Sequence, residues 1–352
     1  MLQLHSDCRL NNTLQVECTS RQHYTLACVD RVALSDPELL ACLQDPELLI
    51  CGGGSNLVLA TPSVARSLSV SAQHWQVLRE TREYIWIYAE AGLGLNALVD
   101  AVNQRGWFGL ERLAEIPGTV GAAPIQNVGA YGREMADLVN WVEAIDRHTG
   151  KICRFGHAAC GFAYRDSVFK RQPQRWLITR VGLRLRRKLF NNNILAYPGV
   201  GQAAVDLGLD PADALGLNDP VLISRLIRRV RRAKLPDWQD ERAPGSVGSF
   251  FHNPIVSRQF FEQLRKTHGA LPGFVSHDHN KIKIPAGWLI EQRGWRGYRS
   301  GSVGVYDQHA LVLVNHGAVS GQDVLELANT IAQDIKQHYG IDLIIEPRVI
   351  DG

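Results

Sequence analysis

Apolar positions along the chain change period several times, and each change marks an element. At 84–90 the run Y-I-W-I-Y-A-E is aromatic and β-branched, the composition of a half-buried strand. Over 222–234 the period becomes helical, with Ile223, Leu226, Ile227 and Val230 on one face. Arg225, Arg228, Arg229 and Arg232 fall on the other, expected to be a solvated face, and Leu235-Pro236 ends the helix. The helical period returns where Val324, Leu327, Ala328, Ile331 and Ile335 align behind Ser320, with Asp323 placed as in a capping box. Shorter patterns predict helices over 37–44, 97–104 and 286–292. Strands are expected at 48–51 (resuming at 57–59), 152–155, 176–185, 310–315 and 341–349.

Glycine interrupts these patterns at places that bear on chemistry. The stretch 116–132 reads I-P-G-T-V-G-A-A-P-I-Q-N-V-G-A-Y-G. Its glycines allow positive φ and close approach to a ligand, and successive N–H groups in such a loop suit anionic oxygens. A pair of tight turns would use the same residues. G-G-G-S-N at 52–56 reads equally as a hairpin turn or as backbone donors to a diphosphate, and 245–249 is a third candidate phosphate loop. G-x-G-x-x-A at 92–97 follows a strand, with Glu111 about twenty residues on, as in the dinucleotide fingerprint. The region after it, 106–131, is loop-rich rather than β-α-β, so an ordinary strand-to-helix turn is expected.

Composition narrows the class. A chain of 352 residues should form two or three domains. With 38 basic and 35 acidic residues the net charge of +3 gives no drive toward nucleic acid or membrane. No apolar run reaches the roughly 18–20 residues of a membrane span, and 1–10 lacks a signal-peptide core. Seven cysteines without a C-x-x-C pair predict reduced thiols in a cytoplasmic protein with no metal site.

Three side chains stand out: Arg165 in Y-R-D-S, Ser249 before two phenylalanines, and Glu346 in the apolar I-I-E-P. Arg165 could pair with Asp166, Ser249 could cap a turn, and Glu346 needs a partner or a raised pKa. Read on their own, the residues reach an enzyme with a phosphate-rich ligand.

The order G-G-G-S-N, G-L-E-R-L-A-E-I-P-G-T-V-G-A-A-P-I-Q-N-V-G-A-Y-G, Y-R-D-S-V-F-K, K-L-P-D, G-S-F-F-H-N-P, A-G-W-L-I-E-Q and E-P resembles the UDP-N-acetylenolpyruvoylglucosamine reductases (MurB) over nearly the whole chain. The resemblance implies an α+β fold: an FAD-binding domain of the vanillyl-alcohol-oxidase (PCMH) type in two subdomains, plus a smaller α+β substrate-binding domain. It places the first subdomain at 1–62, joined by 340–352, the second at 63–233, and the substrate domain at 234–339. It implies reduction of UDP-N-acetylglucosamine enolpyruvate to UDP-N-acetylmuramate by NADPH through FAD, in peptidoglycan precursor synthesis, by a cytoplasmic monomer without nucleic-acid or membrane partners. Another FAD-linked oxidoreductase of the same fold and a non-catalytic nucleotide-sugar binder are the alternatives.

Matched to the motifs, the resemblance assigns catalysis to Arg165, Ser249 and Glu346. It assigns FAD to Gly52, Gly53, Gly54, Ser55 and Asn56, and to Pro117, Gly118, Gly121, Ala122, Ala123, Gln126, Asn127, Gly129 and Tyr131. Substrate falls to Tyr164, to Arg231, Lys234, Asn253, Lys283 and Gln292, and to Tyr197 in a closing loop near 191–201, the mark of the family's longer form. Departures from the family pattern include His252 for the commoner Lys and Arg348 for a second Glu.

Overall fold

The computed structural model describes residues 2–27, 37–189, 194–197, 199–209, 218–276, 278–317 and 320–351. The chain divides into two units: Met1–Cys8, Ser20–Gly53 and Val64–Arg232 in the first, and Arg9–Thr19, Gly54–Ser63 and Ala233–Gly352 in the second.

In the first unit β7 (Tyr84–Glu90) is the strand its composition predicts, with Ile85, Ile87 and Ala89 fully buried. It pairs antiparallel with β6 (Trp75–Glu80) and β12 (Trp176–Arg186). With β10 (Val139–Asp146) and β11 (Ile152–Gly156) they form a five-stranded sheet of order β11-β10-β12-β7-β6. Its antiparallel ladders confirm that 92–97 is no dinucleotide fingerprint. Gly92 is required by packing instead, because a Cβ there would lie 2.2 Å from the Val70 carbonyl oxygen.

Two helices cover this sheet's core, α2 (Leu95–Asn103) and α5 (Pro220–Lys234), the latter burying Ile223, Leu226, Ile227 and Val230 as its period predicts. The arginine face of α5 is more than solvated. Arg228 pairs with Asp100 at 2.6 Å and Glu115 at 3.3 Å, Arg232 with Glu115 at 3.1 Å, and Arg229 with Asp206 at 3.3 Å. Beneath it, buried Ser224 accepts from Asn103 Nδ2 at 2.6 Å and donates to the Glu111 carbonyl at 3.1 Å. Ser224→Ala should leave a buried donor and a buried acceptor unmatched, lowering stability in urea unfolding by about 1–3 kcal/mol.

A second sheet of this unit has the order β1 (Leu2–Arg9), β2 (Thr19–Leu26), β5 (Ser63–Val70), β3 (Leu48–Ile50). Leu39 and Leu43 of α1 (Pro37–Gln44) pack there with Leu26, Leu48, Leu68, Ile145 and Leu177. Smaller elements are the hairpin β8 (Gly129–Ala130) and β9 (Arg133–Glu134), α3 (Val168–Arg171) and α4 (Val200–Val205).

The second unit corrects several sequence expectations. β4 (Leu57–Leu59) does not resume β3; it pairs in parallel with β20 (Arg348–Ile350), in a separate two-stranded sheet. Only that end of 341–349 is a ladder strand, because Pro347 cannot donate and Ile344 is left exposed. Segment 245–249 is a strand rather than a phosphate loop: β13 (Gly245–Ser249) lies in the sheet β13-β19-β18-β17 with β19 (Val312–Asn315), β18 (Val303–Val305) and β17 (Arg299–Ser300).

A three-stranded sheet joins β14 (Ile255–Ser257), β16 (Lys281–Lys283) and β15 (Phe274–Val275). The helices are α6 (Arg258–Thr267), α7 (Ala286–Gln292) and α8 (Gly321–Tyr339), which buries the apolar face expected of it. Ser320 caps α8 by accepting from the Gln322 N–H at 3.1 Å, one residue before the capping-box position.

Cys8, Cys18, Cys42, Cys51, Cys153 and Cys160 are free thiols; Cys28 lies outside the described residues. Burial pushes Cys42 and Cys160 up to about 11, which keeps both protonated. Among the described residues no helix is long and apolar enough to cross a membrane.

Candidate active site

In the first unit, side-chain hydrogen bonds fasten the Y-R-D-S motif to the glycine-rich loop at three points. Asn127 Nδ2 donates to the Ala163 carbonyl at 3.1 Å, Arg165 Nη2 to that of Gly129 at 3.1 Å, and Ser167 Oγ to that of Ile125 at 2.5 Å. Reciprocal bonds of 3.0 and 3.1 Å between Ala163 and Asp166 make a tight turn with Tyr164 and Arg165 at its tip. Arg165 sits there at φ +54°, a left-handed conformation that costs a non-glycine residue about 1 kcal/mol. Its guanidinium lies 5.4 Å from the Tyr164 ring centroid, and its carbonyl accepts from Lys170 Nζ at 3.0 Å. Asp166 forms an ion pair with Arg171.

Two of the predicted glycine stretches meet in this unit. A Cβ on Gly53 would stand 3.0 Å from Gly118 Cα, and one on Gly52 would stand 2.9 Å from Thr119 Oγ1 and 3.2 Å from Ala122 Cβ. A Cβ on Gly121 would lie 2.5 Å from that of Ala91. Exposed Gly52 and Gly53 therefore let the two stretches pack with no side chain between them, forming a cradle of backbone at the surface. Asn127 is fully engaged in holding the loop, its Oδ1 accepting from Ala136 N at 2.8 Å and its Nδ2 also reaching Glu134 at 2.8 Å. Gln126 and Pro117 are half-buried in the same loop.

Tyr131 and Tyr197 meet edge to face at 6.0 Å and 71°. Gly132 makes this possible, since a Cβ there would fall 2.0 Å from the Tyr197 hydroxyl. Residues 191–193 and 198 of the predicted closing loop lie outside the described residues. Burial raises the Tyr131 phenol, while nearby Arg231 pulls it the other way. Burial also lowers Arg231, whose Nε donates to the Glu115 carbonyl at 3.3 Å.

In the second unit Ser249 is half-buried at the end of β13, opposite Val312 and next to the buried pair Phe250 and Phe251. Backbone bonds of 2.9 Å run from Glu346 N to the Phe250 carbonyl and from His252 N to that of Ile344. They bring the Glu346 carboxyl within 3.5 Å of His252 Nδ1. Asn253 Oδ1 accepts from Ala286 N at 2.9 Å at the start of α7. Lys283 is half-buried on β16, whereas Lys234 and Gln292 are exposed. Gly54, Ser55 and Asn56 belong to this unit, where the Asn56 carbonyl accepts from Arg348 N at 3.0 Å.

Comparison with known proteins tests the family. Residues 39–156 match the model of an FAD binding domain, and 239–350 match the C-terminal domain of UDP-N-acetylenolpyruvoylglucosamine reductase. The UDP-N-acetylenolpyruvoylglucosamine reductase of Pseudomonas aeruginosa is 42% identical over 85% of this chain and 84% of that protein. The enzyme of the same name from Xanthomonas axonopodis pv. citri is 38% identical over 97% of this chain and 94% of its own. The chain belongs to the UDP-N-acetylenolpyruvoylglucosamine reductase family. A crystal structure of such a reductase (MurB) from Thermus caldophilus has the same fold, with a TM-score of 0.63 at 22% identity and 99% of each chain covered.

The matched FAD binding domain spans both stretches of the backbone cradle, so the residues present fit a diphosphate-bearing flavin. Two features of this reductase escaped the sequence reading. Arg112 is buried between Leu110 and Leu113, and its Nη1 holds the Tyr131 carbonyl at 3.0 Å; a lone arginine in an apolar G-L-E-R-L-A run was the available signal. The second is the contact of His252 with Glu346, for which sequence offers no signal because 94 residues separate them (346 − 252).

Proposed function

We propose that the chain reduces the enolpyruvyl group of UDP-N-acetylglucosamine enolpyruvate to give UDP-N-acetylmuramate, with NADPH as reductant and FAD as cofactor, in peptidoglycan precursor synthesis. The observation that carries this reading is the turn that presents Arg165 from a strained tip while bonded at three points to the cradle loop. Bound FAD would supply the hydride chemistry between NADPH and the terminal carbon of the enolpyruvyl group.

The protein's task is to manage the charge that follows. Electron density builds on the carbon bearing the carboxylate and spreads into an enediolate, which calls for a fixed cation and a proton donor. Arg165 holds the substrate carboxylate through charge-assisted hydrogen bonds, and its left-handed backbone and Gly129 tether keep the guanidinium pre-positioned. Ser249 Oγ–H donates the proton that quenches the carbanion. Glu346, buried in the second unit, shares a hydrogen bond with the developing enediolate, its carboxyl carrying the proton as that charge builds. Tyr164 packs beside Arg165, and Tyr197 closes over the uridine diphosphate end. Arg231, Lys234, Asn253, Lys283 and Gln292 contact the nucleotide sugar.

The FAD-binding residues are those named at 52–56 and 117–131. In this reading 1–62 with 340–352 and 63–233 form the two FAD subdomains, and 234–339 the substrate-binding domain. The enzyme works as a cytoplasmic monomer.

Visible absorbance of the purified protein, followed anaerobically, tests the reading. Flavin bands should bleach with NADPH and return on adding the enolpyruvyl substrate. Bleaching without recovery would favour another FAD-linked oxidoreductase of the same fold. A colourless protein that binds the nucleotide sugar but cannot be reconstituted with FAD would favour a non-catalytic binder.

A further inference from the structure

Glu346 is nine-tenths buried, and burial of a carboxyl favours whichever arrangement supplies it a proton or a cation. His252 faces it, with Nδ1 3.5 Å from Oε2 and the imidazole itself only partly exposed. Backbone bonds of 2.9 Å, from Glu346 N to Phe250 O and from His252 N to Ile344 O, hold the two segments side by side and bring these side chains together. Other charged side chains on the packed segments are Arg348 two residues beyond Glu346, Lys283 on β16, and Asp342, which pairs with Lys336 at 2.8 Å. His309, on the segment leading into β19, is held neutral by burial, which lowers its pKa.

We propose that His252 is a positioning residue for Glu346, storing the proton with which the Glu346 carboxyl meets the charge developing on the substrate. An ordinary imidazole holds its proton about two pH units higher than an ordinary glutamate. The pair therefore keeps one proton at pH values where a solitary carboxyl would have lost it. As charge builds on the substrate, the two side chains close from 3.5 Å to hydrogen-bond distance, the Nδ1–H bond breaks, its electron pair stays on the ring, and an O–H bond forms at Oε2. When that charge is discharged the proton returns to Nδ1, and protons exchange with solvent at the exposed part of the ring. The inference rests on the role given to Glu346 in the proposed function.

The test is the pH profile of kcat for wild type, H252K and H252Q, each as FAD-loaded full-length protein. Wild-type kcat should fall on the alkaline side as the pair loses its proton. H252K, whose ammonium keeps its proton to higher pH, should move that limb up by about one pH unit or more. H252Q should lose about tenfold or more in kcat near neutral pH, regaining activity toward acid as Glu346 protonates itself. In both variants the flavin spectrum and the rate of bleaching by NADPH should match wild type. An H252Q kcat within about twofold of wild type, with the H252K limb unmoved, overturns the proposal. If wild-type flavin fails to recover with the enolpyruvyl substrate, the functional reading itself has failed and takes this inference with it.

Discussion

Ser249→Ala is expected to leave bleaching by NADPH intact and to slow flavin recovery with the enolpyruvyl substrate by about 10²–10⁴-fold. In the proposed reaction the two half-reactions separate because the serine takes no part in bleaching by NADPH, whereas without its proton the carbanion returns hydride to the cofactor and net recovery slows. The substitution is structurally mild: Ser249 ends β13 opposite Val312, after a register shift between Ser246 and Ser249, and its side chain is only half-buried. Rapid-mixing absorbance measures the two rates independently. Unchanged recovery in the variant would move the proton donor elsewhere in the protein, with Glu346 the first to examine.

Gly54→Ala should have the largest effect on stability, about 3 kcal/mol or more in urea unfolding. Gly54 adopts φ +65°, and a Cβ there would stand 2.1 Å from the Asn11 carbonyl oxygen and 2.7 Å from Asn12 Cα. Both are backbone atoms, which cannot rotate aside as a side chain would. Gly106→Ala is the control: φ is +72° but nothing lies within 4 Å of the new methyl, so only conformational strain of about 1 kcal/mol should remain. Equal losses in the two variants would show that φ alone, not the close approach, explains Gly54.

The sequence disclosed most where one physical cause dominates. Aromatic and β-branched composition marked β7, and a 3.6-residue apolar period marked α5 and α8, whose predicted inner faces are all buried. It disclosed least where partners are distant. The apolar run 341–349 has strand composition, yet pairing depends on Phe251 and Leu57 to Leu59, and only 348–350 finds a continuous ladder. The glycines of 245–249 suggested a phosphate loop, but Gly245 is there because a Cβ would reach within 2.1 Å of the Leu14 carbonyl oxygen. The arginines of α5 gave no hint of Asp100, Glu115 or Asp206, which lie on other segments of the chain. Motif order carried the family, and with it the cofactor and the reaction. The contacts that orient Arg165 and Glu346 required coordinates.

The three bonds between the glycine-rich loop and the Y-R-D-S turn bear on how such a protein can change over time. Asn127, Arg165 and Ser167 each reach across to a main-chain carbonyl of the other segment, so neither segment's shape is defined without the other. Substitutions in the two should combine non-additively, as they do for residues that share partners. Lineages would then pass the two segments on as a single heritable block. A recombinant joining the loop of one ancestor to the turn of another would keep these bonds only with Asn127, Arg165 and Ser167 all in place.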